Sequence, residues 1–252
     1  MTITVLSPHR DDAAFSIGLT IASWLARDHR VEVVNCFTRS EYSPFGDMAA
    51  IRADETQAHV TNLRREEDLR WARQYARPVE LTDLNLLDAP QRLHCAVDEV
   101  CRTAVDPRDP AMTTIRAELR ARAFDALVLP LAIGDHVDHL TARMSAQDGW
   151  PASLPIAFYE DLPYAARPGG AGQIAARTES IVSGLRPMFA KDATEDVVDS
   201  TVETKRQLAL CYPSQIDPAV ADQIASFSRR YGGRERLWAN RAWCNAGLGG
   251  SK

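Results

Sequence analysis

The chain has 252 residues, 45% of them hydrophobic and 25% charged, with a formal net charge of −5. That length suits one large α/β domain, and the acidic balance argues against a basic nucleic-acid stripe or a polybasic membrane patch. Lysine is confined to Lys191, Lys205 and Lys252, so arginine carries the positive charge.

Five cysteines, Cys36, Cys95, Cys101, Cys211 and Cys244, are scattered without a Cys-x-x-Cys pair, which indicates neither a disulfide framework nor a sulfur-ligated zinc site. No run of about 18 apolar residues and no charged leader with an apolar core is present. A cytoplasmic protein is expected, with no nucleic-acid or membrane partner and with room for a homo-oligomer.

The first strand is the β-branched run Ile3 to Leu6, which leads into His9-Arg10-Asp11-Asp12. Phe15, Ile17, Ile21, Trp24 and Leu25 then recur at helical spacing, and Val31 to Phe37 reads as a second buried strand. Strand, helix and strand in about 35 residues form a βαβ unit with parallel strands.

The pattern breaks between Thr38 and Asp54, where Ser40, Tyr42, Pro44 and Gly46 mark a long loop at the edge that carries His9, a lid or a substrate wall. A helix from Ala58 to Ala76 follows, dense in charge, and most of that charge is expected on a solvated face. Val79 to Leu81 is a brief extended piece, Leu93 to Ala104 a helix, Asp106 to Pro110 a turn-rich break, and Ile115 to Phe124 a further helix.

Ala126 to Leu131 is the third strong strand, and it enters Gly134-Asp135-His136-Val137-Asp138-His139. Three of the six histidines therefore follow the ends of two strands. Pro155 to Tyr159 reads as a strand entering Glu160 and Asp161, Arg167 to Gly170 as a loop, and Pro187 to Ala190 as a short strand. Helices are expected around Thr201 to Cys211 and Pro218 to Arg230, and residues 247–252 read as a frayed tail. The fold class is thus a Rossmann-like α/β domain spanning 1–252, mostly parallel, with helices on both faces of the sheet.

In a parallel sheet, the carboxyl ends of strands converge on one crevice. His9, Asp12 and His139 can therefore meet, and two imidazoles with one carboxylate leave a fourth tetrahedral position open, as a catalytic zinc requires. Asp11 remains free as a base. For His136 or His139 alone, an exposed helix start is the plainer reading, and Asp11 or Asp12 can equally be a helix cap.

The paired clusters resemble the PIG-L/LmbE-like family of zinc-dependent N-deacetylases, whose markers are His-Pro-Asp-Asp-Glu after the first strand and a later His-x-Asp-His. The matching residues here are His9-Arg10-Asp11-Asp12-Ala13 and His136-Val137-Asp138-His139, with weaker matches at Arg64, Glu67, Lys205, Ala209, Tyr212, Ser214 and Gln215. The resemblance implies one zinc per chain on His9, Asp12 and His139, with Asp11 as general base. It also implies that His136 stabilises the oxyanion and protonates the leaving amine while Asp138 orients it.

Such chemistry needs a nucleophile at neutral pH, and zinc lowers the pKa of its bound water to about 7. A protonated His136 beside Asp138 would then meet the developing negative charge.

Two positions depart from the pattern, Arg10 for proline and Ala13 for glutamate. Arg10 is a candidate for an anionic group on the substrate, because its fork suits phosphate or carboxylate. Arg64, Asp135 and Tyr42 are further substrate-binding candidates, with Glu160 and Tyr164 behind them; Arg64 with Glu67 also reads as an i,i+3 helix pair. The resemblance implies an N-acetyl amino sugar or a thiol conjugate of one, in antibiotic or thiol biosynthesis. An amidase for a larger acyl group and a non-catalytic sugar-binding module are the alternatives. A nucleotide-binding version is disfavoured, since no Gly-rich phosphate motif follows the first strand.

Overall fold

The structure, a computed structural model, describes residues 1–181, 184–189 and 198–249. Seven strands, β1 (Thr2–Ser7), β2 (Arg30–Asn35), β3 (Glu80–Asp83), β4 (Ala126–Pro130), β5 (Ile156–Tyr159), β6 (Arg186–Phe189) and β7 (Arg236–Ala239), form one sheet in the order β3-β2-β1-β4-β5-β7-β6. The pairs among β3, β2, β1, β4 and β5 are parallel, and β7 runs antiparallel to both β5 and β6. The chain order reverses beside β1, and β1 and β4 are neighbours, so the loops after them open onto one crevice.

The helices are α1 (Asp12–Ala26), α2 (Thr56–Ala72), α3 (Ala89–Leu93), α4 (Pro110–Arg120), α5 (Val137–Ala146), α6 (Gly170–Ile181), α7 (Val198–Ala209), α8 (Pro218–Phe227) and α9 (Arg241–Asn245). Every residue of β4 and β5 is buried, on both sides of the pleat, as expected of parallel strands covered on both faces. One apolar core spans the sheet, with Trp24, Trp71, Trp243, Phe37, Phe158 and Tyr159 among its largest members.

Several predicted elements move. The helix expected over Leu93 to Ala104 is instead α3, which ends at His94 in the left-handed region, followed by a short 3₁₀ turn at Val97–Glu99. The break at Asp106 to Pro110 is the start of α4, where Asp109 caps the helix by accepting from the Ala111 N–H at 2.9 Å and Pro110 fills the first turn. Strand β7, helix α6 and helix α9 carry too little apolar periodicity to stand out in the sequence.

The tail expected from 247 is held at its start. Leu248 is buried, and its carbonyl accepts from Trp24 Nε1 and from Arg27 Nη2, each at 3.4 Å. Residues 250–252 and Ala190 lie outside the described residues.

Helix α2 turns an unusual face inward. Val60, Arg64, Glu67, Asp68 and Trp71 recur at helical spacing and are all buried, so the inner stripe is half ionic, while Arg65, Glu66, Arg70 and Arg73 are exposed. Helix α1 is also irregular: Ile17 leaves helical geometry at φ −137° and ψ 24°. The carboxylate of Glu235 accepts the backbone N–H groups of Leu19 and Thr20 at 3.2 and 2.8 Å, and buried Lys205 bonds both Glu235 and the Ala14 carbonyl. A buried ion pair thus satisfies the backbone groups that the irregular turn releases.

Candidate active site

β1 ends at Ser7, and its hydroxyl accepts from the Ala13 N–H at 3.2 Å while donating to the His9 carbonyl at 2.5 Å. That hydroxyl ties the turn to the first residues of α1. Asp11 occupies the cap position of α1 without a side-chain cap bond, so its carboxylate is available to the cavity. Asp12 Oδ2 accepts from the His9 N–H at 2.8 Å and lies 3.2 Å from His9 Nδ1 and 3.3 Å from His139 Nε2. One oxygen and two imidazole nitrogens therefore face a common point.

Carboxylates fix the tautomers of both rings. His9 Nε2 lies 3.0 Å from Asp138 Oδ2, and His139 Nδ1 lies 2.7 Å from Asp161 Oδ1. A proton on each of those nitrogens leaves the lone pairs of His9 Nδ1 and His139 Nε2 aimed inward, the usual carboxylate–histidine arrangement of a metal site. His139 Nε2 is fully buried with no hydrogen-bond partner, and Asp12 Oδ2 is the acceptor nearest to it. A buried, orphaned ring nitrogen beside a second imidazole and a carboxylate fits a cation such as zinc.

A second trio, His9, His136 and Asp138, lies within similar distances. It fits less well, because Asp138 already accepts from Arg92 Nη2, the Ala89 N–H and His9, and His136 Nδ1 accepts from the Asp138 N–H. Without a metal, burial of His9 is outweighed by its bonds to Asp12 and Asp138, and its pKa is raised to about 10. Burial opposes ionisation of Asp12 too, but the charges of His139 and His9 and the hydrogen bond from His9 hold it down at about 2.

His136 begins α5 and caps it through Nδ1, which accepts the Asp138 N–H at 3.1 Å. Burial, reinforced by the neighbouring imidazoles, pushes its pKa down to about 3. The ring is therefore neutral with its proton on Nε2. This differs from the sequence reading in two respects: His136 is not an imidazolium, and the Asp138 carboxylate orients His9 rather than His136.

These side chains line a cavity of about 280 Å³, together with Phe15, Tyr42, Asp88, Val100, Tyr164 and Arg167. Arg64 lines it as well and donates from Nη2 to Asp11 Oδ1 at 3.2 Å. It does not form the anticipated pair with Glu67, whose carboxylate instead accepts from the Ser214 N–H and hydroxyl at 2.8 and 2.7 Å. The 38–54 loop is a wall: Tyr42 lines the cavity, its carbonyl accepts from Gln215 Nε2 at 3.3 Å, and Phe45 N–H donates to the Ser214 carbonyl at 3.1 Å.

Three expected substrate contacts are not there. Arg10 is buried away from the cavity and donates from Nη1 to Asp83 at 2.7 Å, with Asp68 at 3.5 Å, because two inward carboxylates of β3 and α2 need a cation. Asp135 lies outside the cavity, paired with Arg177. Glu160 accepts from Tyr231, Arg236 and Trp238 on the far side of the sheet end, while Tyr164 does reach the cavity.

Asp161 on His139, Arg92 on Asp138 and Asp88 on the cavity wall are parts of this arrangement that the sequence reading passed over. Asp161 had a signal, since it follows the end of β5 as His9 follows β1. Asp88 is buried on the cavity wall with Oδ1 unpaired, and nothing in its sequence neighbourhood marks it.

A mostly parallel α/β sheet brings two histidines and an aspartate to one point beside a second aspartate, the donor set of a candidate metal site in a hydrolase-type cavity. The sequence model of the PIG-L family, GlcNAc-PI de-N-acetylase, matches residues 4–147, and the chain belongs to that family. It is 30% identical over 241 residues to a 2'-N-acetylparomamine deacetylase of Streptomyces fradiae, covering 93% of this chain and 80% of the relative. It is a hydrolytic N-deacetylase.

Among solved structures, the fold resembles the deacetylase of teicoplanin biosynthesis at TM-score 0.67, with 20% identity and 95% and 97% of the two chains covered. A zinc-inhibited form of teicoplanin deacetylase aligns at TM-score 0.66, with 21% identity and the same coverage. N,N'-diacetylchitobiose deacetylase from Pyrococcus horikoshii aligns at TM-score 0.53, with 16% identity and 96% and 84% covered.

Proposed function

We propose that this chain removes the N-acetyl group from an amino sugar carried by an antibiotic-type small molecule, with one zinc ion held by His9, Asp12 and His139. The observation that carries the reading is the orphaned His139 Nε2, buried beside Asp12 Oδ2 and across from His9 Nδ1. Similarity to a deacetylase named for an N-acetylated aminoglycoside supports the sugar class. The cavity of about 280 Å³ suits one sugar ring and its acetamide, leaving the rest of the substrate outside.

Zinc bound there would lower the pKa of water and polarise the acetamide carbonyl. The remaining work falls to the chain. Asp11, beside Arg64 and free of any capping duty, accepts the proton of the attacking water. His136 donates its Nε2–H to the oxygen that gains negative charge at the carbonyl carbon.

A neutral imidazole is a poor proton source, so the proton taken up by Asp11 is the one returned to the departing amine as the C–N bond breaks. Asp88 Oδ1, buried and unpaired, accepts from a hydroxyl or amine of the sugar.

Acetate release from N-acetyl amino sugars and N-acetylated aminoglycosides tests the reading. A chelator should abolish turnover and zinc should restore it. Asp11→Asn should keep its metal while kcat falls by about 10²–10⁴. Full activity of metal-free protein, or normal turnover of the Asp11 variant, would overturn the assignment.

A further inference from the structure

Arg92 sits in the last turn of α3, in the connection between β3 and α4, well away in sequence from either metal motif. Its guanidinium is spent on three hydrogen bonds, two of them to side chains at the starts of α4 and α5. Nη2 donates to Asp138 Oδ1 at 2.7 Å, Nε to Asp109 Oδ2 at 2.9 Å, and Nη1 to the Leu87 carbonyl at 2.8 Å. The plane also lies over the Phe37 ring, with Cζ 4.3 Å from its centroid, and that ring is 6.3 Å from the ring of His9.

We infer that Arg92 is a positioning residue for the metal centre: it holds the Asp138 carboxylate that in turn fixes the rotation and tautomer of His9. This rests on the metal site proposed above.

Asp138 is fully buried, and its two oxygens have distinct duties. Oδ2 takes the Ala89 N–H at 2.9 Å and His9 Nε2 at 3.0 Å, while Oδ1 has Arg92. With the guanidinium removed, the carboxylate would have an unpaired buried oxygen and could rotate to satisfy it. His9 Nδ1 would then lose its fixed aim towards Asp12 and His139. No other side chain is within hydrogen-bond distance of Asp138 Oδ1 among the described residues, so a replacement is not at hand.

The far end of the arrangement is equally fixed. Asp109 holds Arg92 with Oδ2 and caps α4 with Oδ1, so the line Asp109–Arg92–Asp138–His9 ties a helix start to a metal ligand through buried charge-assisted bonds. The Arg92 line supplies an orienting contact from another part of the fold.

The test uses direct metal binding, which needs no substrate. Zinc affinity by chelator competition and the visible spectrum of the cobalt-substituted protein are measured for the parent, Arg92→Met, Arg92→Lys and Asp109→Asn. Arg92→Met should weaken zinc binding about 10–100-fold and alter the cobalt spectrum, as loss of an orienting partner does elsewhere. Arg92→Lys, which keeps charge but loses the fork, should recover part of the affinity.

In zinc-saturated protein, kcat should fall while KM for the N-acetyl sugar stays within about twofold. Asp109→Asn keeps an oxygen for the helix cap but replaces the Oδ2 acceptor of Arg92 Nε by an NH2 donor while leaving the Arg92–Asp138 bond in place, so it should shift affinity the same way by a smaller factor. It also serves if the Arg92 variants fail to fold. Unchanged affinity and spectrum in a folded Arg92→Met, or in Asp109→Asn where Arg92→Met does not fold, would overturn the inference. A parent protein that binds neither zinc nor cobalt would instead overturn the metal site itself.

Discussion

A guanidinium that is 2% exposed must be neutralised by its neighbours, and Arg10 faces Asp83 and Asp68. Its own carbonyl accepts from the Tyr212 hydroxyl at 3.1 Å, which fixes the backbone between His9 and Asp11. Arg10 therefore shapes the catalytic turn from behind. Arg10→Ala should cost about 3–5 kcal/mol in denaturant unfolding, because Asp83, and Asp68 when it is ionised, lose their cation. KM for the folded fraction should be insensitive to whether the substrate carries an anionic group. A selective rise in KM for anionic substrates would return Arg10 to the binding surface.

The same residue shows what sequence can and cannot say. Its place between two ligand-type residues invited a functional reading, and only the packing of α2 and β3 reveals the two carboxylates behind it. His9, Asp12 and His139 were legible because each follows a buried strand, and strand ends in a parallel sheet share a crevice. Arg64 was legible as a cavity residue only through the resemblance, since alone it looks like part of a charged helix face.

Among the elements, the β4–α5 connection does the most to set the geometry. Ala132, Gly134 and Asp135 all have positive φ, at 60°, 89° and 58°, within four residues. Backbone of this kind persists only where its surroundings hold it. Asp161 Oδ2 accepts from the Ile133 N–H at 3.0 Å, Gln173 from the Gly134 N–H at 2.9 Å, and Arg177 donates to the Ala132 carbonyl at 3.3 Å. Asp135, expected to touch substrate, belongs to this bracing through Arg177.

A Cβ at Gly134 would stand 2.4 Å from Cδ1 of Tyr164, the ring that walls the cavity beside His139. Gly134→Ala should lower both thermal stability and kcat/KM, the latter by tenfold or more. In a double-mutant cycle, Tyr164→Ala should recover part of the stability loss, leaving the strain of the positive φ. Strictly additive effects would show that the ring is not what the new methyl meets. The strain at Ala132 was not visible beforehand, because alanine does not announce a left-handed turn, whereas Gly134 and Asp135 are residue types that adopt one readily.

On the scale of the whole molecule, the polar clusters are stitched together by segments far apart in sequence. Tyr212, Ser214 and Gln215 hold α2, the first catalytic turn and the 38–54 wall, and Glu235 on the approach to β7 holds α1. The helices and strands of the first 150 residues were largely readable from period and turn residues. In the C-terminal third β6, α7 and α8 were readable near their observed bounds, whereas α6, β7 and α9 were not, since they are short or weakly periodic.

One of the contacts made by Tyr212 makes stability depend on pH. Burial raises the pKa of Asp68 to about 7, against the pull of Tyr212 and Arg10. The geometry agrees: one hydroxyl proton on Tyr212 cannot serve both the Arg10 carbonyl and Asp68 Oδ1 at 2.7 Å, and a proton on Asp68 resolves the conflict.

A carboxylate whose folded pKa lies above its unfolded value stabilises fully below about pH 4, and that contribution is lost as pH rises towards 7. Asp68→Asn mimics the protonated form, so its stability relative to the parent should improve between pH 5 and 8. Unfolding curves of the two proteins across that range check the sign. A difference independent of pH would show that Asp68 stays ionised in the folded chain.

The sheet also has a direction with practical weight. Every residue that lines the cavity comes from loops and helices beyond the carboxyl ends of strands, and none comes from the turns at 27–30, 121–125 or 151–155 that lead into β2, β4 and β5. Those turns lie at the end of the sheet opposite the cavity. A single linkage placed there would hang the enzyme from a bead or an electrode with its mouth facing the liquid.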